Sequence, residues 1–133
     1  SDLYSTNAVT LNTSQEQALA WAAPELLAQA LDKLVENAVS FSSDGSHIEL
    51  QLEAIDGDWA VAVCNQGPRI PANLKSKLFE PMVSVRQNSD ETVHLGLGLH
   101  VVRLISDYHK GKVYAENMND PNGVKVTMTL PAA

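Results

Sequence analysis

Apolar residues recur at intervals of three and four in two stretches of the chain, and this spacing predicts two amphipathic helices. The first is predicted over residues 25–41, directly after Pro24, which the first turn of a helix tolerates. The second is predicted from the glycine pair that ends at Gly98 to about Tyr108, with Gly111 as its C-terminal cap. The apolar face of the first helix comprises Leu26, Leu27, Ala30, Leu31, Leu34, Val35 and Ala38. The core face of the second comprises Val101, Leu104, Ile105 and Tyr108.

Strands are predicted where apolar and polar residues alternate. Residues 47–55 alternate in this way, and residues 59–64 are apolar on both faces, which is typical of a central, covered strand. Asp56 and Gly57 between them predict a tight hairpin. Residues 124–130 alternate as well. Shorter strands are predicted at residues 9–11 and 112–116, and a short helix at residues 74–79.

These elements predict an α+β fold, a two-layer sandwich in which helices cover one face of a mixed, mostly antiparallel sheet. The domain is expected to span residues 9–133, with residues 1–8 as a flexible N-terminal edge. Residues 80–95 show no consistent period. An irregular stretch of this length inside a compact domain is more often functional, as a lid is, than accidental, and an ordinary surface loop is the alternative.

Composition narrows the range of partners. Nine Lys and Arg against sixteen Asp and Glu give a formal net charge of −7 over 133 residues. Nucleic acids and anionic membranes are bound by basic surfaces, so no nucleic acid and no direct membrane contact is expected. No apolar run approaches the roughly 20 residues that span a bilayer. The single Cys64 cannot form an internal disulfide, which fits a reducing compartment, and its place in an apolar strand favours a packing role.

Two features of the predicted helices have the character of a binding site. Gly96 and Gly98 lie where the second helix begins, and a helix N-terminus has unpaired N–H groups that suit a phosphate. Such a glycine pair is also common in tight turns. Asn37 falls within the apolar face of the first helix, where its amide must be hydrogen-bonded or must coordinate a ligand. Capping of a neighbouring loop is the alternative for Asn37.

Other common chemistries have no support in the sequence. There is no G-x-x-x-x-G-K-[ST] loop, and Gly96-Leu97-Gly98 lacks the third glycine of the dinucleotide fingerprint. The four histidines lack the spacing of metal ligands and are expected on the surface. They are His47, His94, His100 and His109.

The order of four segments resembles the ATP-binding catalytic domain of sensor histidine kinases. This family belongs to a superfamily with DNA gyrase, the heat-shock chaperone of about 90 kDa and the mismatch-repair ATPases, all with the Bergerat-type ATP-binding fold. The segments are residues 31–41 (LDKLVENAVSF), 65–71 (NQGPRIP), 78–81 (LFEP) and 96–99 (GLGL), with a weaker match at residues 108–113 (YHKGKV). The resemblance covers the chain from about residue 9 onward.

The resemblance implies a binding site for ATP and Mg²⁺. Asn37 would help to hold Mg²⁺ between the phosphates, as oxygen ligands do. The adenine would be received by Phe41, Asn65, Gly67 and Ile70. Phe79 would anchor the lid. The phosphates would be bound at the start of the second helix, by Gly96, Leu97, Gly98 and Leu99.

Several positions depart from the family pattern. Asn65 stands where the family has an Asp that accepts a hydrogen bond from the adenine amino group. Arg69 replaces a glycine, where a side chain can crowd the pocket or reach a phosphate. His94 and Leu95 replace the glycine and hydroxyl residue before the second glycine-rich segment. Lys33 stands where a second metal ligand or a general base is usual, and its charge suits a phosphate.

Three functions remain open from the sequence. The first is a kinase catalytic domain that passes the γ-phosphoryl of ATP to a histidine on a separate dimerisation domain of the same protein, with a response regulator receiver domain as partner. Such a domain is expected in the cytoplasm, as the soluble part of a membrane-anchored sensor. The second is a non-catalytic docking or regulatory module with weak or no nucleotide binding. The third, a hydrolysing ATPase, is disfavoured by Lys33.

Overall fold

The computed structural model of the chain describes residues 8–13, 20–42, 45–81, 84–86, 92–94 and 96–133. In chain order, the elements over these residues are β1 (Ala8–Thr13), α1 (Pro24–Phe41), β2 (His47–Ile55), β3 (Asp58–Gln66), α2 (Ala72–Lys75), β4 (Ser84–Arg86), β5 (Thr92–His94), α3 (Gly96–Tyr108), β6 (Val113–Met118) and β7 (Gly123–Pro131). Most of the predicted N-terminal edge, part of the predicted lid and Leu95 lie outside the described residues. Ala8, which the prediction placed in that edge, is the first residue of β1.

Five strands form one sheet in the order β1-β2-β3-β7-β6. β1 runs parallel to β2, and the other neighbours are antiparallel, so the sheet is mixed and mostly antiparallel with β3 at its centre. The predicted fold class and the predicted central strand are confirmed. β4 and β5 pair in a separate two-stranded sheet, although the sequence predicted no element there. Strands of three residues are too short to show an alternating pattern.

The hairpin between β2 and β3 sets the register of the sheet. Asp56 and Gly57 have φ angles of 48° and 83°. A two-residue turn with positive φ at both positions matches the twist of the strands that it joins. Ile55 and Asp58 pair beside this turn, and the register then continues to Ile48 opposite Asn65.

The core lies between one face of this sheet and the two long helices. Ile48, Val63 and Met128 come from three different strands and are at most 1% exposed. Leu34 of α1 and Val102 of α3 belong to the same buried cluster. Each such side chain contributes about 1.5–3 kcal/mol when it is fully buried. This packing gives the two-layer arrangement that the alternating pattern predicted.

The opposite face of the sheet is covered by polar side chains over a row of small residues. Cys64 lies in this row, with Glu49 beside it on β2 and Lys125 beside it on β7. Cys64 is 8% exposed, and burial raises the pKa of its thiol, an effect that the nearby charge of Lys125 partly opposes. Cys64 therefore occupies a packing position, as its sequence context predicted.

The buried face of α3 agrees only in part with the predicted one. Ile105 is buried and Val101 packs against the core, as predicted, but Leu104 and Tyr108 are 54% and 70% exposed, and Val102, which was not predicted, is buried. The buried stripe also contains His109, which is 8% exposed, so its predicted surface position is wrong too. A stripe that includes a polar residue cannot be centred correctly from apolar spacing alone.

The end of α3 also departs from the prediction. Lys110, not Gly111, has the left-handed conformation, with a φ of 62°. The N–H of Gly111 donates to the carbonyl of Ser106 at 2.8 Å, which closes the helix end in the manner of a Schellman cap. A Cβ at Gly111 would collide with the carbonyl oxygen of Thr129. Glycine is required there for close approach to β7 and not for its φ.

Candidate functional site

Three residues of α1 lie on one stripe of the helix, because they are four residues apart. They are Lys33, Asn37 and Phe41. Asn37 is half-buried, and the ring of Phe41 packs against the core cluster at the C-terminal end of the helix. No described residue forms a hydrogen bond with the Asn37 amide, so the structure gives no support to the loop-capping alternative. The stripe therefore combines a cation, an amide and an aromatic ring along one face.

The loop after β3 meets this stripe at the end of α1. The N–H of Gly67 donates to the carbonyl of Asn122 at 3.0 Å, which fixes the start of the loop against the β6–β7 turn. A Cβ at Gly67 would collide with the carbonyl oxygen of Phe41. The absence of a side chain at Gly67 thus lets the loop lie directly on the last turn of α1.

Asn65 is the most buried polar residue of this loop region. It is the second-last residue of β3, on the face covered by the helices, and is 3% exposed, opposite Ile48 on β2 and Val124 on β7. Its Nδ2 atom is buried and has no hydrogen-bond partner among the described residues. An unpaired buried donor costs about 1–3 kcal/mol. A ligand that offers an acceptor removes that cost.

Sequence reasoning missed one residue that shapes the loop. Oδ1 of Asn117 accepts from the backbone N–H of Ile70 at 2.7 Å, and Nδ2 of Asn117 donates to the carbonyl of Ile70 at 3.0 Å. This two-point clamp holds Ile70 from the neighbouring strand β6. The available signal was the alternation Val113, Ala115, Asn117, which places an amide on the core-facing side of a strand.

The segment after this loop connects it to α3. The helix predicted at residues 74–79 is shorter and earlier, Ala72–Lys75, and is followed by turns in which N–H groups bond three residues back. Leu78 is 1% exposed, and Phe79 packs against the core. Nδ1 of His100 lies 3.2 Å from the carbonyl oxygen of Phe79, which ties this segment to the first turns of α3. His100 is half-buried, not a surface histidine.

The first turn of α3 is open at Gly98, as far as the described residues show. Among the described residues, a Cβ at Gly98 would meet only Lys33, at 3.9 Å, which is an ordinary van der Waals distance. Neither the packing of the described residues nor the backbone conformation therefore requires a glycine at Gly98, in contrast to Gly67. Glycine lets a ligand approach the backbone closely, and the helix N-terminus favours an anion. Leu99 is 1% exposed, so only its backbone is available to a ligand, and for Gly96 and Leu97 the backbone alone is described.

Lys33 supplies the positive charge beside this opening. Its aliphatic chain passes Gly98, and its Nζ lies 3.5 Å from Oε2 of Glu36, in a pair that is more than a third exposed. Such an exposed pair contributes at most about 1 kcal/mol, so an anion can compete for the ammonium group. Arg69, whose side chain was expected to crowd the pocket or to reach a phosphate, is exposed. No cluster of three His, Cys, Asp or Glu able to hold a metal is found in the described parts of the chain.

The sequence of residues 22–133 matches the family described as Histidine kinase-, DNA gyrase B-, and HSP90-like ATPase. The adaptive-response sensory kinase SasA of Synechococcus sp. (strain CC9902) is 35% identical over 105 residues, which are 77% of this chain and 27% of that protein. The chain thus spans about a quarter of the length of this curated relative.

Solved structures show the same fold. The catalytic domain of histidine kinase ThkA superimposes with a TM-score of 0.80 at 28% identity, over 98% of this chain and 89% of that one. ThkA in complex with the response regulator protein TrrA superimposes with a TM-score of 0.78 at 27% identity, over 99% of this chain and 39% of that one. Full-length ShkA in complex with AMPPNP superimposes with a TM-score of 0.78 at 25% identity, over 96% of this chain and 26% of that one.

Proposed function

This chain belongs to the family of histidine kinase-, DNA gyrase B- and HSP90-like ATPases, and we propose that it binds ATP with Mg²⁺ and transfers the γ-phosphoryl group to a histidine on a separate dimerisation domain. The observation that carries this proposal is the start of α3. No described residue packs so closely on Gly98 that a glycine is required there, and Lys33 lies directly beside it. Both features favour the anionic phosphates of a nucleotide.

The phosphates occupy the first turn of α3 in this proposal. The backbone at Gly96 and Gly98 donates hydrogen bonds to them, and the ammonium group of Lys33 neutralises part of their charge. The side-chain oxygen of Asn37, on the same stripe as Lys33, is the protein ligand for Mg²⁺. Bound Mg²⁺ supplies further positive charge to the phosphates. The unpartnered Asn37 amide fits this role among the described residues.

The base lies between the end of α1 and the loop after β3. Phe41 packs against the adenine ring, and Asn65 and Gly67 contact its polar edge. Ile70 lines the pocket and is held in place by its two hydrogen bonds with Asn117. Phe79 anchors the segment that would cover the nucleotide. Because the loop is held by side-chain and backbone hydrogen bonds, this half of the site is preformed.

The residues favour phosphoryl transfer over hydrolysis. A hydrolase must activate a water molecule, and the position where its general base is usual holds Lys33, whose ammonium group is not a base. Phosphoryl transfer depends mainly on positioning and on neutralisation of charge, which Lys33 assists. The acceptor histidine supplies its own nucleophilic nitrogen from the dimerisation domain.

The wider setting is proposed on the same ground. Residues 9–133 act as one catalytic domain of a cytoplasmic sensor kinase segment, and a response regulator receiver domain accepts the phosphoryl group afterwards. ThkA, one of the structural relatives, was solved with its response regulator TrrA. None of the helices in the described part of this chain is long and apolar enough to cross a membrane.

A second candidate is a docking module that has lost nucleotide binding. The observation in its favour is the neutral amide of Asn65 at the position where the family has a carboxylate for adenine. Nucleotide binding separates the two. We expect the 133-residue chain to bind AMPPNP with Mg²⁺ in the micromolar to sub-millimolar range by calorimetry. The absence of heat and of a thermal shift at several millimolar nucleotide contradicts the kinase proposal and supports the docking module.

Transfer and hydrolysis are separated by a second measurement. The chain is incubated with ATP and Mg²⁺, alone and with a histidine-containing dimerisation domain supplied in trans. Acid-labile phosphoryl incorporation into that domain supports the kinase. Release of free phosphate by the chain alone, well above background, supports a hydrolase instead.

A further inference from the structure

The side chain of Asn65 has an unused hydrogen-bond donor inside the protein. The residue is 3% exposed, and its buried Nδ2 atom has no partner in the described part of the chain. Its cross-strand neighbours are Ile48 and Val124, neither of which has a polar side chain. Buried amide groups are nearly always paired, so this donor indicates a ligand that presents an acceptor.

The position of Asn65 relates this donor to the base of the nucleotide. The residue lies near the end of β3 on the helix-covered face, two residues before Gly67, which lies on the last turn of α1 at Phe41. This inference rests on the proposed function, in which that end of α1 and this loop receive the base.

An amide has a donor and an acceptor side by side, whereas a carboxylate only accepts. The 6-amino group and N1 of adenine form a donor–acceptor pair, which an amide matches with its oxygen and its nitrogen. The 6-oxo group and the N1–H of hypoxanthine or guanine form the reverse pair, which the same amide matches after a 180° rotation. A carboxylate pairs with the amino group but repels the 6-oxo oxygen.

We propose that Asn65 makes the site accept 6-oxopurine nucleoside triphosphates as well as ATP. Nδ2 donates a hydrogen bond to the 6-oxo oxygen in one orientation of the amide and to N1 of adenine in the other. No hydrogen bond from the described residues to Nδ2 fixes a single orientation. Asn65 is thus a specificity-determining residue that widens the substrate class of the site.

The experiment compares ATP with ITP, which differ only at position 6 and in the proton on N1. Each is titrated with Mg²⁺ into the chain by calorimetry, and GTP is added to test the 2-amino group. We expect the Kd for ITP to lie within about tenfold of the Kd for ATP in the wild-type protein. In Asn65→Asp, ATP binds more tightly and the ratio of Kd for ITP to Kd for ATP rises by about tenfold or more.

Gln66→Glu is the matched control. It adds the same negative charge one residue away, on the opposite face of the sheet, and should leave the ratio of the two Kd values unchanged. Thermal unfolding of each variant shows whether it is folded. The wild-type ratio needs no variant, so the inference remains testable if Asn65→Asp does not fold.

The outcomes separate this inference from the proposed function. Failure of the wild-type chain to bind any nucleotide contradicts both. Tight ATP binding with ITP weaker by about a hundredfold or more overturns the inference and leaves the kinase proposal standing. An equal ratio in wild type and in folded Asn65→Asp also overturns it, because Asn65 then does not contact position 6.

Discussion

Nε2 of His109 accepts a hydrogen bond from the backbone N–H of Ala23 at 3.0 Å, and Nδ1 of the same ring lies 2.7 Å from the carbonyl oxygen of Ile105. A carbonyl only accepts, so Nδ1 bears the proton and the ring is neutral. The first of these bonds links the end of α3 to the start of α1, 86 residues apart in sequence. It therefore aligns the two helices that position Gly98 and Asn37.

Replacing His109 should destabilise the fold. His109→Ala leaves the N–H of Ala23 without its partner and opens a cavity, so we expect a loss of about 2–3 kcal/mol in the free energy of unfolding. Chemical denaturation followed by circular dichroism measures it. The control is Glu53→Ala, at an exposed position of β2, with an expected loss below about 0.5 kcal/mol. Equal effects of the two changes would show that the link is unimportant.

Gly98 and Gly67 should respond in opposite ways to alanine. In Gly98→Ala, the new methyl group fits beside Lys33 and the helix gains about 1 kcal/mol in propensity, so the melting temperature should not fall. Nucleotide affinity should fall by tenfold or more, about 1.4 kcal/mol, because the methyl group covers the backbone. Gly67→Ala should instead lower the melting temperature, because its methyl group collides with Phe41.

Thermal melts with and without AMPPNP and Mg²⁺ test this contrast. A stable Gly98→Ala protein that binds nucleotide as well as the wild type does would contradict the phosphate role of α3.

Removing the clamp on Ile70 should weaken nucleotide binding through the shape of the loop. Asn117→Ala removes both hydrogen bonds to Ile70, and we expect a loss of affinity of about three- to tenfold, close to 1 kcal/mol. Calorimetric titration gives the value. Asn119→Ala, at an exposed turn position nearby, should bind as the wild type does. If adenosine and ATP lose affinity by the same factor, the effect lies at the base and not at the phosphates.

The charge of Lys33 should contribute to binding of the phosphates. Lys33→Met keeps the aliphatic chain beside Gly98 and removes the ammonium group, so the Kd for ATP should rise by about three- to tenfold. The Kd for adenosine should stay the same. Lys75→Met, on exposed α2, is the control for the change in net charge. An unchanged Kd for ATP in Lys33→Met would place the phosphates elsewhere.

The cap of α3 offers a stabilising substitution. Lys110 has a φ of 62°, which costs a residue with a Cβ about 1 kcal/mol. Lys110→Gly should therefore stabilise the protein by roughly 0.5–1 kcal/mol, and Gly111→Ala should destabilise it because its Cβ would collide with Thr129. Both are read from urea denaturation. A loss of stability in Lys110→Gly would mean that the lysine side chain contributes more than its backbone conformation costs.

The parts of the fold that local pattern determines could be predicted. α1 begins at Pro24 and ends at Phe41, the hairpin lies at Asp56 and Gly57, and β3 is central, because periodicity and turn chemistry act over a few residues. The wrong prediction of Leu104 and Tyr108 as buried residues of α3 has a different origin. His109 is buried because it bonds to Ala23 on another helix, and apolar spacing contains no information about such a partner.

The candidate site divides in the same way. Gly96, Gly98 and Asn37 could be predicted as site residues from the sequence. The glycines lie at the start of a predicted helix, and Asn37 is a polar residue within the apolar face of another. Asn117 could not be predicted, since its role exists only once β6 lies beside Ile70, 47 residues away in sequence. Packing between distant segments also decides which glycines are required. A side chain at Gly67 would collide with Phe41, whereas one at Gly98 would have space beside Lys33.

Cys64 has a practical consequence for spectroscopy. It is the only cysteine of the chain, 8% exposed, and its raised pKa keeps it a thiol. Thiol-directed dyes and spin labels react with the exposed thiolate, so Cys64 should remain unlabelled in the folded protein. A single exposed substitution such as Lys75→Cys therefore gives a uniquely labelled domain without removal of the native cysteine. The mobility or fluorescence of that label on α2 can then be followed as nucleotide is added.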